Sequence, residues 1–226
     1  MASLGVLAAG VAHEINNPLN YIFGGVQSLE QMFAEGKTPK GDEVSEMLVA
    51  MKEGVRRISS IVTSLNHYSR KESQIRVICD MHAIIDNCLV MLNNRIKYTI
   101  TVTKEYAAES CAVLGDDARL HQAVLNILSN AVQSMESGGV IDVATKIHEN
   151  TFVFSVRDSG CGIAPENIKK ICDPFFTTKK PGEGTGLGLA ITLSIIKEHG
   201  GTFDVVCELG KGTTVTVALP IGAKEA

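Results

Sequence analysis

The chain has 226 residues, of which 45 % are apolar, and its formal charge at pH 7 is −4. That length allows one large domain or two modest ones with ordinary hydrophobic cores. Binding to nucleic acid needs clustered cations that neutralise phosphates. A negative chain without a dense cluster of Lys and Arg is therefore not expected to have nucleic acid as its partner.

The cysteines and the first residues of the chain set the expected compartment. The six cysteines are scattered without a CxxC pair, and there is no secretory signal, so we expect a reduced, cytoplasmic setting without disulfides or zinc. The apolar segment 1–12 lacks a basic leader and is too short to cross a bilayer, so no membrane segment is expected in this chain. Its helical pattern starts without a capping signal, which favours an input region removed upstream.

Two helices are predicted at the start of the chain. Apolar residues recur every three or four positions from Leu4 to Phe33 and again from Val44 to Leu65, which is the period of a helix with one buried stripe. The segment 36–41 contains two glycines and a proline and separates the helices. Two helices of this length cannot close a core between themselves, so the hairpin is expected to pair with a second copy in a four-helix bundle. The predicted assembly is a homodimer.

A second region begins near Arg76, after a linker expected at 72–74. Alternating and helical patterns there predict strands at 98–103, 139–147, 152–156 and 213–219, and helices at 80–95, 117–135 and 187–199. The predicted fold class is therefore α+β, with an N-terminal helical hairpin followed by an α/β sandwich. We place the two domains at residues 1–71 and 75–222.

His13 and its neighbours on the first helix form one candidate site. A neutral imidazole is a good nucleophile near pH 7, and the N–P bond that it forms is labile enough to pass a phosphoryl group on. Glu14 can hydrogen-bond the far ring nitrogen, and Asn17 lies one turn later on the same face. Pro18 is expected to bend the helix below the site. A lone histidine on a helix is far more often structural, so this assignment depends on a nucleotide site downstream. The other five histidines have no comparable setting.

The helix predicted at 117–135 carries a polar ridge. Gln122, Asn126 and Asn130 are spaced by four residues and so share one face of the helix. Carboxamide oxygens can bind Mg²⁺, and carboxamide nitrogens can donate to phosphate. Taken alone, a polar face in contact with solvent is the more common explanation of such a ridge.

Two glycine-containing segments complete a candidate pocket. Asp158, Gly160 and Gly162 follow a predicted strand, where a carboxylate can accept a hydrogen bond from the exocyclic amine of adenine; a simple β-turn is the alternative. Glycines 182, 184, 186 and 188 come directly before a helix, which favours N–H groups that cradle phosphates over a flexible linker. A P-loop is excluded because Gly-Lys-Ser/Thr is absent, and the segment 210–213 is expected to form a turn between the last two strands.

In this order, the motifs resemble those of the catalytic core of bacterial sensor histidine kinases of two-component signalling. Residues 1–70 resemble the dimerisation and phosphoacceptor domain, and about 75–222 resemble the ATP-binding domain shared by gyrase, Hsp90, histidine kinases and MutL. The family's N, G1, F and G2 boxes correspond here to Asn126 and Asn130, to Asp158, Gly160 and Gly162, to Phe175 and Phe176, and to Gly184, Gly186 and Gly188.

The resemblance implies roles for individual residues. Asn130 would hold Mg²⁺, Asp158 would read adenine, and residues 173–185 would form a mobile lid over the phosphates. The segment 177–179 resembles a nitrogen-regulation-like subgroup in which Lys179 reaches the phosphates, and Lys180 remains an open alternative. The residues expected to bind ATP are Asn126, Asn130, Asp158, Gly160, Gly162, Thr177, Thr178, Lys179, Gly184, Thr185, Gly186, Leu187, Gly188 and Thr213.

The resemblance also implies an activity and a partner. ATP and Mg²⁺ would be the cofactors, His13, Glu14 and Asn17 the catalytic residues, and the receiver domain of a response regulator the partner, with phosphatase activity toward that regulator left open. Two rival functions remain. ATPase clamps of the Hsp90 or MutL kind carry a glutamate four residues before the metal-binding asparagine, and Asn126 at that position disfavours hydrolysis. A non-catalytic, nucleotide-switched scaffold would be favoured if pocket residues were missing, and none is missing.

Overall fold

A computed structural model describes residues 3–36, 41–69, 76–96, 98–108, 111–135, 137–179 and 184–221. The chain divides into two compact units. The first combines Met1–Lys71 with Pro174–Leu187, and the second combines Glu72–Asp173 with Gly188–Ala226. The linker predicted at 72–74 lies outside the described residues.

The first unit contains the two predicted helices, α1 (Ser3–Ala34) and α2 (Gly41–Ser69). α1 continues through Pro18 without ending there. The two helices approach closely at Gly54, where an added Cβ would lie 2.8 Å from Ile22 Cγ1 and 2.9 Å from the Pro18 carbonyl oxygen. A larger residue at this position would therefore force the two helices apart.

The apolar stripe of the hairpin is only partly covered within one chain. Pro18 and Ile61 are buried, but nine large apolar side chains described on α1 and α2 are 36–70 % exposed, and six of them recur in a seven-residue repeat. We call these six residues the apolar seam: Leu19, Val26 and Phe33 on α1, and Leu48, Val55 and Val62 on α2. On each helix the seam residues recur at every seventh position, which is the spacing of an interhelical packing face.

The second unit is built from seven strands and three α-helices within its described residues. In chain order they are β1 (Val77–Asp80), α3 (Met81–Ile96), β2 (Ile100–Glu105), β3 (Ala112–Gly115), α4 (Asp117–Gln133), β4 (Gly139–His148), β5 (Thr151–Asp158), α5 (Gly188–Glu198), β6 (Thr202–Glu208) and β7 (Gly212–Pro220), with a 3₁₀ turn at Ile168–Lys170. Every helix and strand predicted for this region is present, and β1, β3 and β6 were missed. The α+β fold class is confirmed.

The strands form two sheets. The larger has the order β2-β4-β5-β7-β6, in which only β2 and β4 run parallel, and the smaller is the antiparallel pair of β1 and β3. One face of the larger sheet packs against the helices, because side chains of β5 and β7 surround the same small void as side chains of α3, α4 and α5. This packing fixes the carboxyl end of β5 beside the carboxyl end of α4, where the candidate site begins.

Candidate functional site

Asp158 is the last residue of β5 and is only 5 % exposed. Its Oδ1 accepts a hydrogen bond from the Gly160 N–H at 2.8 Å and another from the Ser134 hydroxyl at 3.0 Å. No residue in the part of the chain that the structure describes donates to Oδ2, and no fully buried side-chain oxygen there lacks a partner. Oδ2 therefore reaches the surface as an acceptor that a ligand can use.

The two glycines after Asp158 are required by close packing. A Cβ at Gly160 would overlap the Ser134 hydroxyl, and a Cβ at Gly162 would overlap the Glu208 carbonyl oxygen. Gly162 also has a positive φ of 68°, which L residues with a side chain rarely adopt. The segment after β5 thus turns tightly against α4 and the end of β6.

Thr213 lies next to Asp158 on the neighbouring strand. The two residues are paired across β5 and β7, and Thr213 is 8 % exposed. The turn expected between the last two strands is present, closed by a hydrogen bond from the Lys211 N–H to the Glu208 carbonyl at 3.0 Å. Gly212 is also needed there, because a Cβ would overlap the Asp158 carbonyl oxygen.

Asn126 joins α4 to the first turn of α5. Its Nδ2 donates to the Gly188 carbonyl at 3.1 Å and, more weakly, to the Thr192 hydroxyl at 3.4 Å. The Thr192 hydroxyl itself donates to Gly188 at 2.9 Å. Both partners of the Asn126 nitrogen lie on α5, so its oxygen is the atom left for a ligand. Asn130 is half-buried one turn further along the same ridge.

The segment before α5 adopts a defined backbone conformation. Phe175 has a positive φ of 68°, and Gly186, with φ 65°, packs so closely that a Cβ would overlap the Phe175 backbone. Holding a non-glycine residue such as Phe175 at a positive φ costs on the order of 1–3 kcal/mol. Such a conformation persists where the surrounding structure holds it. Leu187 is 1 % exposed, and its N–H donates to the Thr185 hydroxyl at 3.4 Å.

The remaining candidates of this segment lie in the first unit. Thr177 accepts a hydrogen bond from the Lys179 N–H at 3.2 Å, and the side chains of Thr177 and Lys179 are the nearest neighbours of Gly184. Thr178 is exposed between them. Lys180 and Gly182 lie outside the described residues. The structure thus brings together Asp158, Gly160, Gly162 and Thr213, and separately Asn126 and Gly188.

The phosphoacceptor candidates lie on α1. His13 and Glu14 belong to this helix, but their side chains are outside the described part of the chain. Asn17 is half-buried, and Pro18 after it is buried.

Two of the other histidines, His199 and His82, link distant segments of the chain. His199 donates from Nδ1 to the Ile195 carbonyl at 2.7 Å, and its Nε2 accepts from the Asp116 N–H at 3.0 Å. It therefore links the end of α5 to the start of α4. The His82 ring stacks on Tyr106 at 4.5 Å, and its Nε2 lies 2.8 Å from the Thr145 hydroxyl. These contacts match the structural role that the sequence favours for both.

Sequence reasoning missed Ser134 and Thr192. The spacing of four that links Gln122, Asn126 and Asn130 continues to Ser134, and this periodicity was the available signal. Thr192 has no such signal, because it reaches Asn126 from a helix 66 residues away.

None of the described helices is both long enough and apolar enough to cross a membrane.

Two family models match the chain. The His Kinase A (phospho-acceptor) domain matches residues 3–74, and the histidine kinase-, DNA gyrase B- and HSP90-like ATPase matches residues 115–223.

Named relatives extend these matches over nearly the whole chain. The sensor histidine kinase ZraS of Escherichia coli K12 is 36 % identical over 222 residues, which cover 98 % of this chain and 46 % of ZraS. Sporulation kinase C of Bacillus subtilis 168 is 32 % identical over 217 residues, which cover 95 % of this chain and 48 % of that kinase. The chain thus spans about half the length of the curated relatives it matches.

Solved structures agree with the sequence matches. The catalytic domain of histidine kinase ThkA is 30 % identical with a TM-score of 0.59, covering 65 % of this chain and 95 % of that domain. ThkA in complex with the response regulator protein TrrA has a TM-score of 0.78 over 100 % of this chain and 64 % of that one, and at 24 % identity it bears on the fold alone. With a phosphoacceptor domain and a kinase-type ATPase domain matched in tandem, this chain belongs to the sensor histidine kinase family.

Proposed function

We propose that this chain is the catalytic core of an ATP-dependent protein-histidine kinase, which transfers the γ-phosphoryl group of ATP to His13 and then to an aspartate of a response regulator. The observation that carries the proposal is the buried Asp158, with one oxygen held by protein donors and the other open to a ligand. It occurs in the same chain as a phosphoacceptor domain that contains His13.

The Asp158 carboxylate suits adenine. Oδ2 can accept from the 6-amino group of adenine, whereas guanine presents a carbonyl oxygen at that position and two acceptors would face each other. Thr213, paired with Asp158, supplies a hydroxyl at the same edge of the site. We therefore propose ATP rather than GTP as the phosphoryl donor.

The donor chemistry of α4 fits a magnesium–triphosphate group. Mg²⁺ prefers hard oxygen ligands, and it neutralises charge on the phosphates when it is bound with the nucleotide. Asn126 has its nitrogen held by α5 and its oxygen left over, and we assign Asn130, one turn on, as the metal ligand. The first N–H groups of α5, from Gly188, would donate to phosphate oxygens at the positive end of the helix dipole.

The segment before α5 would close over the phosphates. We assign the lid to residues 173–185, in which Thr177, Thr178 and Lys179 would approach the phosphates. The tight backbone fit of Phe175 and Gly186 supports a segment with its own preferred conformation, as a lid requires.

His13 would be the nucleophile. Its unprotonated ring nitrogen would attack the γ-phosphorus, the bond to the β,γ-bridging oxygen would break, and ADP would leave. Glu14 would accept a hydrogen bond from the other ring nitrogen and so raise the nucleophilicity of the first. The family resemblance implies the receiver domain of a response regulator as the acceptor in the next transfer. That partner, together with the use of ATP, implies a cytoplasmic location for this core.

A homodimer is the proposed assembly. The apolar seam leaves six large side chains of the hairpin exposed in a seven-residue repeat. Pairing with the seam of a second copy would cover them in a four-helix bundle.

Incubation with γ-labelled ATP and Mg²⁺ tests the proposal directly. Phosphohistidine should give label on the protein that is lost in acid and kept in base. An ATPase clamp would release labelled phosphate and leave the protein unlabelled. A nucleotide-switched scaffold would bind ATP without releasing phosphate and without becoming labelled. Either of these two results would contradict the kinase assignment.

A further inference from the structure

Ser134 lies where the polar ridge of α4 meets the nucleotide site. It caps the carboxyl end of α4. Its hydroxyl oxygen is 3.0 Å from Asp158 Oδ1 and 2.8 Å from the Ala131 carbonyl oxygen. It lies one turn after Asn130 and so continues the polar ridge to the carboxyl end of the helix.

The charge of the two acceptors decides where the single hydroxyl hydrogen points. A carboxylate can only accept, and a hydrogen bond to an ionised acceptor is roughly twice as strong as one to a neutral carbonyl. The Asp158 carboxylate is therefore the favoured acceptor of this hydrogen. Together with the Gly160 N–H at 2.8 Å, the Ser134 hydroxyl gives Oδ1 two donors.

The two donors fix the rotation of the Asp158 carboxyl group. With Oδ1 held between α4 and the backbone of Gly160, Oδ2 has one direction left, toward the surface. Gly160 packs closely against both partners, because an added Cβ there would overlap the Ser134 hydroxyl and lie 2.8 Å from Asp158 Oδ1. Without that hydroxyl, Oδ1 would keep a single donor and the carboxyl group could turn.

We propose that Ser134 is a positioning residue that sets the selectivity of the site for a 6-aminopurine, by holding the Asp158 carboxyl group in the orientation that accepts from the exocyclic amine. This inference rests on the proposed function, in which Asp158 reads adenine. It goes beyond that function because Ser134 itself touches no nucleotide atom in this scheme.

The test compares two ligands that differ in one group. Calorimetry on the full chain with Mg²⁺ measures the affinity for ADP and for purine riboside 5′-diphosphate, which lacks only the 6-amino group. Ser134→Ala should weaken ADP binding by about fivefold to tenfold and change binding of the analogue by less than about twofold, because only ADP uses the oriented oxygen. Ser134→Thr keeps the hydroxyl and should keep the wild-type ratio of the two affinities.

Ser155→Ala is the matched control. Ser155 lies on the same strand as Asp158, but within the described residues its hydroxyl reaches only the Ala144 carbonyl, at 3.5 Å, so both affinities should stay at wild-type values. If Ser134→Ala does not fold, Ser134→Cys replaces it: its weakly donating thiol should lower the preference for ADP below that of the wild type, and an unchanged preference would overturn the positioning role.

The outcomes separate the two claims. Equal affinity of the wild-type chain for both diphosphates would remove the adenine role of Asp158, and with it this part of the proposed function. Clear discrimination by the wild type with an unchanged ratio in Ser134→Ala would overturn only the positioning role. An equal loss of affinity for both ligands would point to a purely structural serine and overturn it as well.

Discussion

The two units of this chain differ in the groups that each one leaves exposed. In the α/β unit, the large side chains of Phe152, Phe154 and Leu120 are at most 1 % exposed. In the helical hairpin, seam residues such as Phe33 and Val55 are 70 % and 55 % exposed. The α/β unit has a buried core and an open acceptor for a ligand, whereas the hairpin leaves large apolar side chains exposed, which the proposed second copy would cover.

Because of this difference, mutations in the two units should have different effects. Burying a large apolar side chain contributes about 1.5–3 kcal/mol, so six seam residues from each chain can stabilise an interface substantially. Nucleotide affinity depends instead on a few hydrogen-bonding groups at the edge of a core that is already formed. Mutations in the hairpin should therefore change assembly and phosphoryl acceptance, and mutations in the α/β site should change nucleotide binding.

The largest expected effect is the loss of the acceptor. His13→Gln should reduce acid-labile labelling from ATP by roughly 100-fold or more, because the substitution keeps size and polarity but deletes the nucleophile. Nucleotide affinity and the dimer should not change. His148→Gln, at the exposed end of β4, is the control and should label normally. Label that persists in His13→Gln would place the acceptor on another residue.

A charge in the apolar seam should break the assembly. Val26→Glu would bury unpaired carboxylates at the proposed interface, and the dimer dissociation constant should rise by about 100-fold or more in sedimentation experiments. ADP affinity should stay within a factor of about two, since the α/β unit has its own buried core. Val206→Glu, at an exposed position of the edge strand β6, should leave the dimer intact. A dimer that tolerates Val26→Glu would move the interface off the seam.

A substitution on the polar ridge should weaken nucleotide binding and leave the dimer intact, which is the reverse of the effect expected for the seam substitution. Asn130→Ala should lower the Mg²⁺-dependent affinity for ATP by roughly 10-fold to 100-fold and leave the dimer unchanged, because it removes a proposed ligand and no seam residue. Gln122→Ala, two turns earlier on the same ridge, should bind ATP normally. Titrations with and without Mg²⁺ decide the matter, and an affinity in Asn130→Ala that still responds fully to Mg²⁺ would remove the metal assignment.

Local sequence predicts the long elements well and the contacts between distant segments poorly. The periodicity of α1, α2 and α4 extends over many turns and is visible without any partner. β1 and β3 have four residues each and are defined by their pairing across more than thirty positions, which no local pattern encodes.

The same limit applies to the site. Asp158 and the glycines after it could be predicted from their motif, because the three residues lie within five consecutive positions of the sequence. The Ser134 hydroxyl acquires its role from a carboxylate 24 residues away, and the link of Asn126 to α5 depends on Thr192. The seam could be predicted as an apolar stripe, but the structure was needed to separate the residues that pack within the hairpin from those left exposed.

The smallest expected effect concerns the hairpin alone. One face of α1 would take part in two reactions there, the phosphorylation of His13 and the dephosphorylation of the regulator. Asn17 is half-buried one turn after His13, so its carboxamide could hold a water near the phosphoaspartate of a docked regulator. The attack of His13 on ATP does not need that water. Asn17→Ala should therefore keep most of the autophosphorylation and slow dephosphorylation of the phosphorylated regulator by a factor on the order of 10, the scale of one lost orienting hydrogen bond.

Both rates must be measured on the same variant, together with the thermal midpoint, because Asn17 precedes the buried Pro18 and its loss could loosen the helix. Asn16→Ala is the matched control, since Asn16 is the exposed neighbour of Asn17 on a different face of α1. It should leave both rates unchanged. Normal dephosphorylation with a crippled first step would instead assign Asn17 to the kinase reaction, and the hairpin would then use one set of residues for accepting the phosphoryl group and another for removing it.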